Sequence, residues 1–126
     1  MKLVYIAARF TGPNAWAIAE NVRRAERMGY VVTTCGAWPV IPHANTQHFH
    51  GAVDADDAYA GTMEMMRRCD GIIADVAHVS VGVTAELKEA EILGIPALKC
   101  DGDFLYPGSP EVRRFINRLT TKGGSL

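Results

Sequence analysis

The stretch Cys69–Leu93, CDGIIADVAHVSVGVTAELKEAEIL, decides how the chain is read. Gly71–Asp75 is a short apolar run of the kind that forms a buried strand, and a polar loop then leads into a helix opening near Val83. On a 3.6-residue wheel Val83, Leu87, Ala90 and Leu93 make the apolar arc, with Thr84, Lys88 and Glu91 opposite. Glu86 falls in the middle of the apolar arc. An unpaired buried charge is expensive, so a carboxylate there must be paired, hydrogen-bonded or beside a cleft. It also lies about one turn inside a helix N-terminus, the end of the dipole that favours anions.

Working outward, the totals bound the problem. A chain of 126 residues, 48% hydrophobic and 21% charged, suits one domain with one core. We expect that domain to span residues 1–121 and the last five, 122–126, to form a flexible tail. A formal net charge of −1 gives no electrostatic case for a nucleic-acid partner or an anionic membrane. No apolar run is long enough to span a membrane, and no apolar block marks a signal peptide. Cys35, Cys69 and Cys100 are odd in number and widely spaced, which fits reduced thiols and a cytoplasmic location.

Leu3–Ala7 reads as a central strand. Asn14 is a suitable N-cap for a helix running to about Met28 and ended by Gly29, with Ala15, Ile18, Ala19, Val22 and Ala25 inward and Glu20, Arg23, Arg24 and Arg27 outward. The β-branched run from Tyr30 to Thr34 reads as a second strand. A long irregular stretch follows, from Cys35 to about Val53; loops of this length in compact domains usually bind something. Residues 54–68 read as a helix with Tyr59, Ala60, Met63 and Met66 inward. Beyond the Glu86 helix, Ile95–Lys99 reads as a fourth strand and residues 104–106 as a short edge strand. Ser109-Pro110-Glu111 starts a last helix, with Val112, Phe115, Ile116 and Leu119 as its inner stripe.

The alternation of strands and helices predicts an α/β fold, a Rossmann-like three-layer α-β-α sandwich around a parallel sheet of four to five strands. Ligands of such sheets bind beyond the carboxyl ends of the strands, where the strand order reverses. If strand one is central, Tyr5, Arg9, Asp75, Ser80 and Glu86 come within reach of one pocket. Ser80-Val81-Gly82 opening a helix offers a seat for a phosphate or carboxylate, or Ser80 simply caps the helix. No GxxxxGK[ST] and no GxGxxG is present, so neither the mononucleotide loop nor the dinucleotide fingerprint applies. Glu86 reads either as a buried ion pair with Arg9 or as a carboxylate nucleophile towards a sugar anomeric carbon. Tyr5 is either core or a donor that orients Glu86, and the fork of Arg9 suits a phosphate or carboxylate. His43, His48 and His50 match no closed zinc spacing, and no metal is expected. Trp38 and Phe49 either stack on a base or pack the loop.

Four segments together carry a resemblance: Tyr5-Ile6-Ala7, Pro42-His43, Cys69-Asp70-Gly71 and above all Ser80-x-Gly82-x-x-x-Glu86. They resemble the nucleoside 2-deoxyribosyltransferase superfamily, which includes the 2′-deoxynucleoside 5′-monophosphate N-glycosidases and a small bacterial and phage branch. The resemblance covers roughly residues 1–100. It implies a flavodoxin-like fold, Glu86 as the nucleophile that forms a deoxyribosyl ester, Tyr5 as the group that positions it, and Ser80 and Gly82 as the 5′-phosphate loop. His43 joins the substrate-binding set with Arg9, Ser80, Gly82 and Asp75. The resemblance further implies no cofactor, and a homodimer or larger homo-oligomer in which a neighbour often completes the pocket. The chain departs from the pattern at Ala8-Arg9, where the family has Gly-Pro or Gly-Ser, and at Thr62, where it has an aspartate that assists with base or sugar. Glu64 and Asp57 are the nearby acids that could stand in for it.

The expected function is cleavage or transfer of the N-glycosidic bond of a (deoxy)nucleoside or its 5′-monophosphate, by an N-glycosidase or a deoxyribosyltransferase. The alternative is a nucleotide-binding or sensing module that kept the pocket and lost the activity.

Overall fold

The computed structural model describes residues 1–46, 48, 49, 51–78 and 80–121. His50 and the expected flexible tail therefore lie outside the described residues. Four strands, β1 (Leu3–Ala7), β2 (Trp38–Val40), β3 (Gly71–Asp75) and β4 (Ala97–Cys100), form one parallel sheet in the order β2-β1-β3-β4. This is the doubly wound, flavodoxin-like order, with the reversal between β1 and β3. Helices α1 (Ala15–Thr34) and α5 (Pro110–Arg118) belong to one side, and α3 (Ala55–Arg67) and α4 (Val81–Leu93) to the other. A short α2 (Pro42–Thr46) follows β2.

Period-two alternation assigns the strand residues to the two faces. Val4, Ile6 and Ile73 pack with Val32, Val112 and Phe115 under α1 and α5. Tyr5, Ala7, Ile72 and Ala74 pack with Met63, Met66, Val83 and Ala90 under α3 and α4. Pairing of Tyr5 with Ile72 and of Ala7 with Ala74 locks this register. Each face thus has its own apolar cluster, and a one-residue slip would turn both outward.

The sequence reading places most elements correctly. Asn14 caps α1, accepting from Ala17 N at 2.9 Å. Ser80 caps α4, accepting from Val83 N at 3.2 Å. Ser109 caps α5, whose whole predicted stripe is buried.

The largest correction is the second strand. Residues 30–34 continue α1, which runs through Gly29, and β2 instead lies inside the stretch read as irregular. Met28, Val31, Val32 and Cys35 recur at helical spacing and all face the core, so a β-branched run served a helix. Gly29 is a contact glycine: a Cβ there would stand 2.5 Å from Ile41 Cδ1 and 3.3 Å from Pro39 Cβ. The glycine that does end a helix is Gly94, at φ 72°, after α4. Smaller corrections follow the same logic. Ala15, Ala60 and Leu93 are exposed, Arg24 turns partly inward, and residues 104–106 form no strand but close a 3₁₀ turn, Gly102–Phe104.

Candidate active site

At the carboxyl ends of β1 and β3, on the α3–α4 side, a cavity of about 530 Å³ opens to solvent. Arg9, Phe10 and Thr11 contribute one wall from the loop after β1, and Pro42, His43 and Thr46 another from α2. Tyr59 and Thr62 come from α3, and Ser80, Val81, Gly82 and Glu86 from the start of α4.

Glu86 sits one turn into α4. Val83 and Ala90 of the same helix are buried on the sheet, and Glu86, three residues after Val83, is carried inward with them to the cavity edge. Burial raises its carboxyl from the ordinary 4.5 to about 7, and the neighbouring Tyr5 hydroxyl offsets only part of that effect. No ion pair with Arg9 forms among the described residues. Arg9 instead donates from Nε to the carbonyl of Thr11 at 3.3 Å and leaves its fork at the cavity wall.

Tyr5 lies in β1 with no exposed surface. Its hydroxyl is near enough to interact with both Glu86 and Thr62, yet neither completes a well-formed hydrogen bond, and burial together with the Glu86 charge holds the phenol far above its usual range. An O–H in that position has one proton and two candidate acceptors.

His43 is 4% exposed and packs its ring on Phe10, centroids 5.3 Å apart. Its Nε2 lies 3.1 Å from the Arg9 carbonyl, which only accepts, so Nε2 carries the proton. Burial lowers its pKa below 6.5, with the carbonyls of Arg9 and Ala8 opposing, and the ring is neutral near pH 7. His43 thereby ties the loop after β1 to α2, and its Nδ1 finds no partner among the described residues.

Ser80 and Gly82 stand at the positive end of α4. The first N–H groups of a helix have no intrahelical partner. Of these, Val83 N donates to Ser80 Oγ, and Thr84 N closes the first turn on Ser80 O at 3.0 Å. Gly82 is not required by the backbone or by packing. A Cβ there would meet only Ser80 Oγ, at 3.8 Å, so its absence leaves cavity space open against the peptide.

The structure thus brings Tyr5, Arg9, His43, Ser80, Gly82 and Glu86 to one place, and it separates Asp75 from them. Asp75 follows Ile73 in alternation, so it faces α1 rather than α4. It is fully buried, accepting from Ala77 N at 3.1 Å and Gly102 N at 3.2 Å, with Arg24 Nε 3.9 Å away. Arg24 in turn binds Asp103 at 3.0 Å. Asp75 is therefore architectural. Glu64 is likewise elsewhere, paired with Arg67 and Arg68 in solvent, and Asp57 borders a smaller adjoining hollow.

Sequence reasoning missed three wall residues. Tyr59 was expected in the core and is 51% exposed at the cavity, and Phe10 and Thr46 gave no signal of their own. No group of three His, Cys, Asp or Glu side chains poised to hold a metal occurs among the described residues, and His48 is exposed. No described helix is long and apolar enough to cross a membrane, and Cys35 and Cys100 carry free thiols. Trp38 is exposed on the edge strand β2, away from the cavity, while Phe49 borders the smaller hollow.

Comparison with known proteins adds two kinds of finding. Residues 2–99 match the model of a family described as a domain of unknown function, DUF7768, and the chain belongs to that family. Among solved structures, a 2-deoxyribosyltransferase from the psychrotolerant bacterium Bacillus psychrosaccharolyticus superposes with a TM-score of 0.59 at 17% identity, over 85% of this chain and 74% of that one. At that identity the likeness is one of fold. A 2-desoxiribosyltransferase from Leishmania mexicana gives a TM-score of 0.52 at 30% identity, over 80% of this chain and 65% of that one. The chain thus spans about two thirds of the Leishmania protein's length. No curated protein matches the chain.

Proposed function

We propose that this DUF7768 protein cleaves or transfers the N-glycosidic bond of a (deoxy)nucleoside or its 5′-monophosphate, with Glu86 as the nucleophile. The observation that carries the reading is a single half-buried carboxylate, held near neutrality at about pH 7, at the edge of a cavity and beside a buried phenol. An oxygen of Glu86 attacks C1′, the C1′–N bond breaks with its electron pair going to the base, and a glycosyl ester forms. Water then releases the sugar, or a second base accepts it. Tyr5 positions the carboxylate from below.

The 5′ end belongs at the start of α4. The open space over Gly82, the positive end of α4 and the Arg9 guanidinium all favour an anionic group there. The two structural relatives, each named as a deoxyribosyltransferase, support the same substrate class. The reading carries with it a homo-oligomer at work in the cytoplasm. Val81, Ile92 and Leu93, apolar and exposed along α4, support the first half, and the mass in solution tests it.

The binding-module alternative draws its support from Thr62, which presents a hydroxyl where the cavity could have held a second carboxylate. One experiment separates the two. The protein is incubated with a panel of nucleosides and nucleoside monophosphates, and free base is followed by chromatography beside Glu86→Gln. Base released by the wild type and not by the variant is the expected result. Binding of a nucleotide without turnover would favour the module, and release undiminished in Glu86→Gln would end the catalytic reading.

A further inference from the structure

We propose that Tyr59 is the general acid that protonates the departing base. The inference rests on Glu86 being the nucleophile. When the C1′–N bond breaks, the electron pair left on the base must be neutralised, and the described cavity residues offer few protons for it. The Thr62 hydroxyl donates to the Tyr59 carbonyl at 2.9 Å, and alcohols are in any case too weak as acids. The Nε2 proton of His43 is committed to the Arg9 carbonyl, and its Nδ1 is buried out of reach. Tyr5 lies fully buried against Glu86. Arg9 does not release a proton in the working range. Glu64 is engaged with two arginines outside the cavity.

Tyr59 alone has both the chemistry and the access. It lines the cavity and keeps half its surface open, although α3 sends Met63 and Met66 of the neighbouring turns into the core. A phenol carries one O–H that it can give up and take back, and tyrosine is among the side chains that act as general acids. As the Glu86–C1′ bond forms, the Tyr59 proton passes to the base nitrogen or to the ring atom that shares its charge. In the second half-reaction, the attacking water or acceptor base returns a proton to the phenolate. The site then closes its cycle with no other co-reactant.

The test uses pairs of 2′-deoxynucleoside 5′-monophosphates that differ only in the acidity of the departing base, such as uracil against 5-nitrouracil or hypoxanthine against 8-azahypoxanthine. Tyr59→Phe keeps the ring and removes the proton. On the less acidic base of each pair, the variant should lose roughly 100-fold in kcat with KM within about twofold, the usual scale of a general acid. On the acidified base most of that loss should vanish, because the leaving group no longer needs the proton. An unchanged kcat, an equal loss on both members of a pair, or a rise in KM alone would each overturn the assignment. These outcomes are distinct from failure of the nucleophile reading. If the wild type releases no base, or Glu86→Gln releases it undiminished, that reading falls and Tyr59 falls with it.

Discussion

Two carboxylates lie at opposite faces of the same sheet and have opposite fates. Asp75, at the end of β3, is fully buried yet attended: two backbone N–H groups donate to its Oδ1, and Arg24 stands 3.9 Å from Oδ2, which completes no hydrogen bond of its own among the described residues. Gly102 is moulded around it, since a Cβ there would come within 3.2 Å of the carboxylate. Glu86, at the start of α4, keeps some solvent access, but among the described residues only a phenol without a completed hydrogen bond attends it, and its pKa rises to about 7. Compensated charge holds a fold together. A carboxylate perturbed by burial at a cavity is instead a candidate for function.

The sharpest way to break this contrast is to remove each charge in turn. Glu86→Gln should abolish base release by the order of 10³-fold or more, as loss of a nucleophile does, with the protein still folded; chromatography of free base checks it. Asp75→Ala should do the reverse. It strands two buried N–H donors, while Arg24 keeps Asp103, and should lower unfolding stability by about 2–4 kcal/mol in denaturant titration, while the folded fraction keeps its activity within a few fold.

The pH dependence sharpens the comparison. Because the folded state raises the Glu86 pKa from 4.5 to about 7, the folded protein binds more protons than the unfolded chain between those values. Stability therefore falls as pH rises through that window, by up to about 2–3 kcal/mol. Glu86→Gln, neutral throughout, should match the wild type near pH 4.5 and exceed it above pH 7 in thermal or denaturant melts. If the ionised form is the nucleophile, kcat/KM should rise through about pH 7 over the same range. The smallest effect belongs to Gly82→Ala. Stability should move by less than about 0.5 kcal/mol, because alanine suits a first helical turn at least as well. KM for a 5′-monophosphate should nonetheless rise about tenfold while that for the bare nucleoside changes little, a difference of about 1.4 kcal/mol.

The candidate site was legible where a residue contradicted its surroundings. Glu86 on an apolar helical arc, Arg9 directly after a buried strand, and the Ser80–Gly82 helix opening each broke a local rule, and each stands at the cavity. Asp75 broke one too, but its reading failed for want of register. Nothing local says whether residue 75 shares a face with Tyr5; the pairing of Tyr5 with Ile72 decides that it does not. Tyr59 failed in the opposite sense, since its spacing from Met63 and Met66 is helical and gives no sign of where the helix overhangs a cavity. The run from Tyr30 to Thr34 shows a third kind of ambiguity. Val31 and Val32 would bury equally well in a strand or on a helix, and the close approach of Ile41 to Gly29 belongs to the helical solution.

The amino-acid sequence by itself determined the alternation of strands and helices, the caps at Asn14, Ser80 and Ser109, and the anomalous carboxylate at Glu86, because periodicity and capping are properties of neighbours along the chain. Only the tertiary structure decided which carboxylate faces the cavity, what His43 ties together, and that Tyr59 stands at the wall. Those outcomes depend on strand order and register, which join residues far apart in sequence and are fixed by the burial of both faces of the sheet at once.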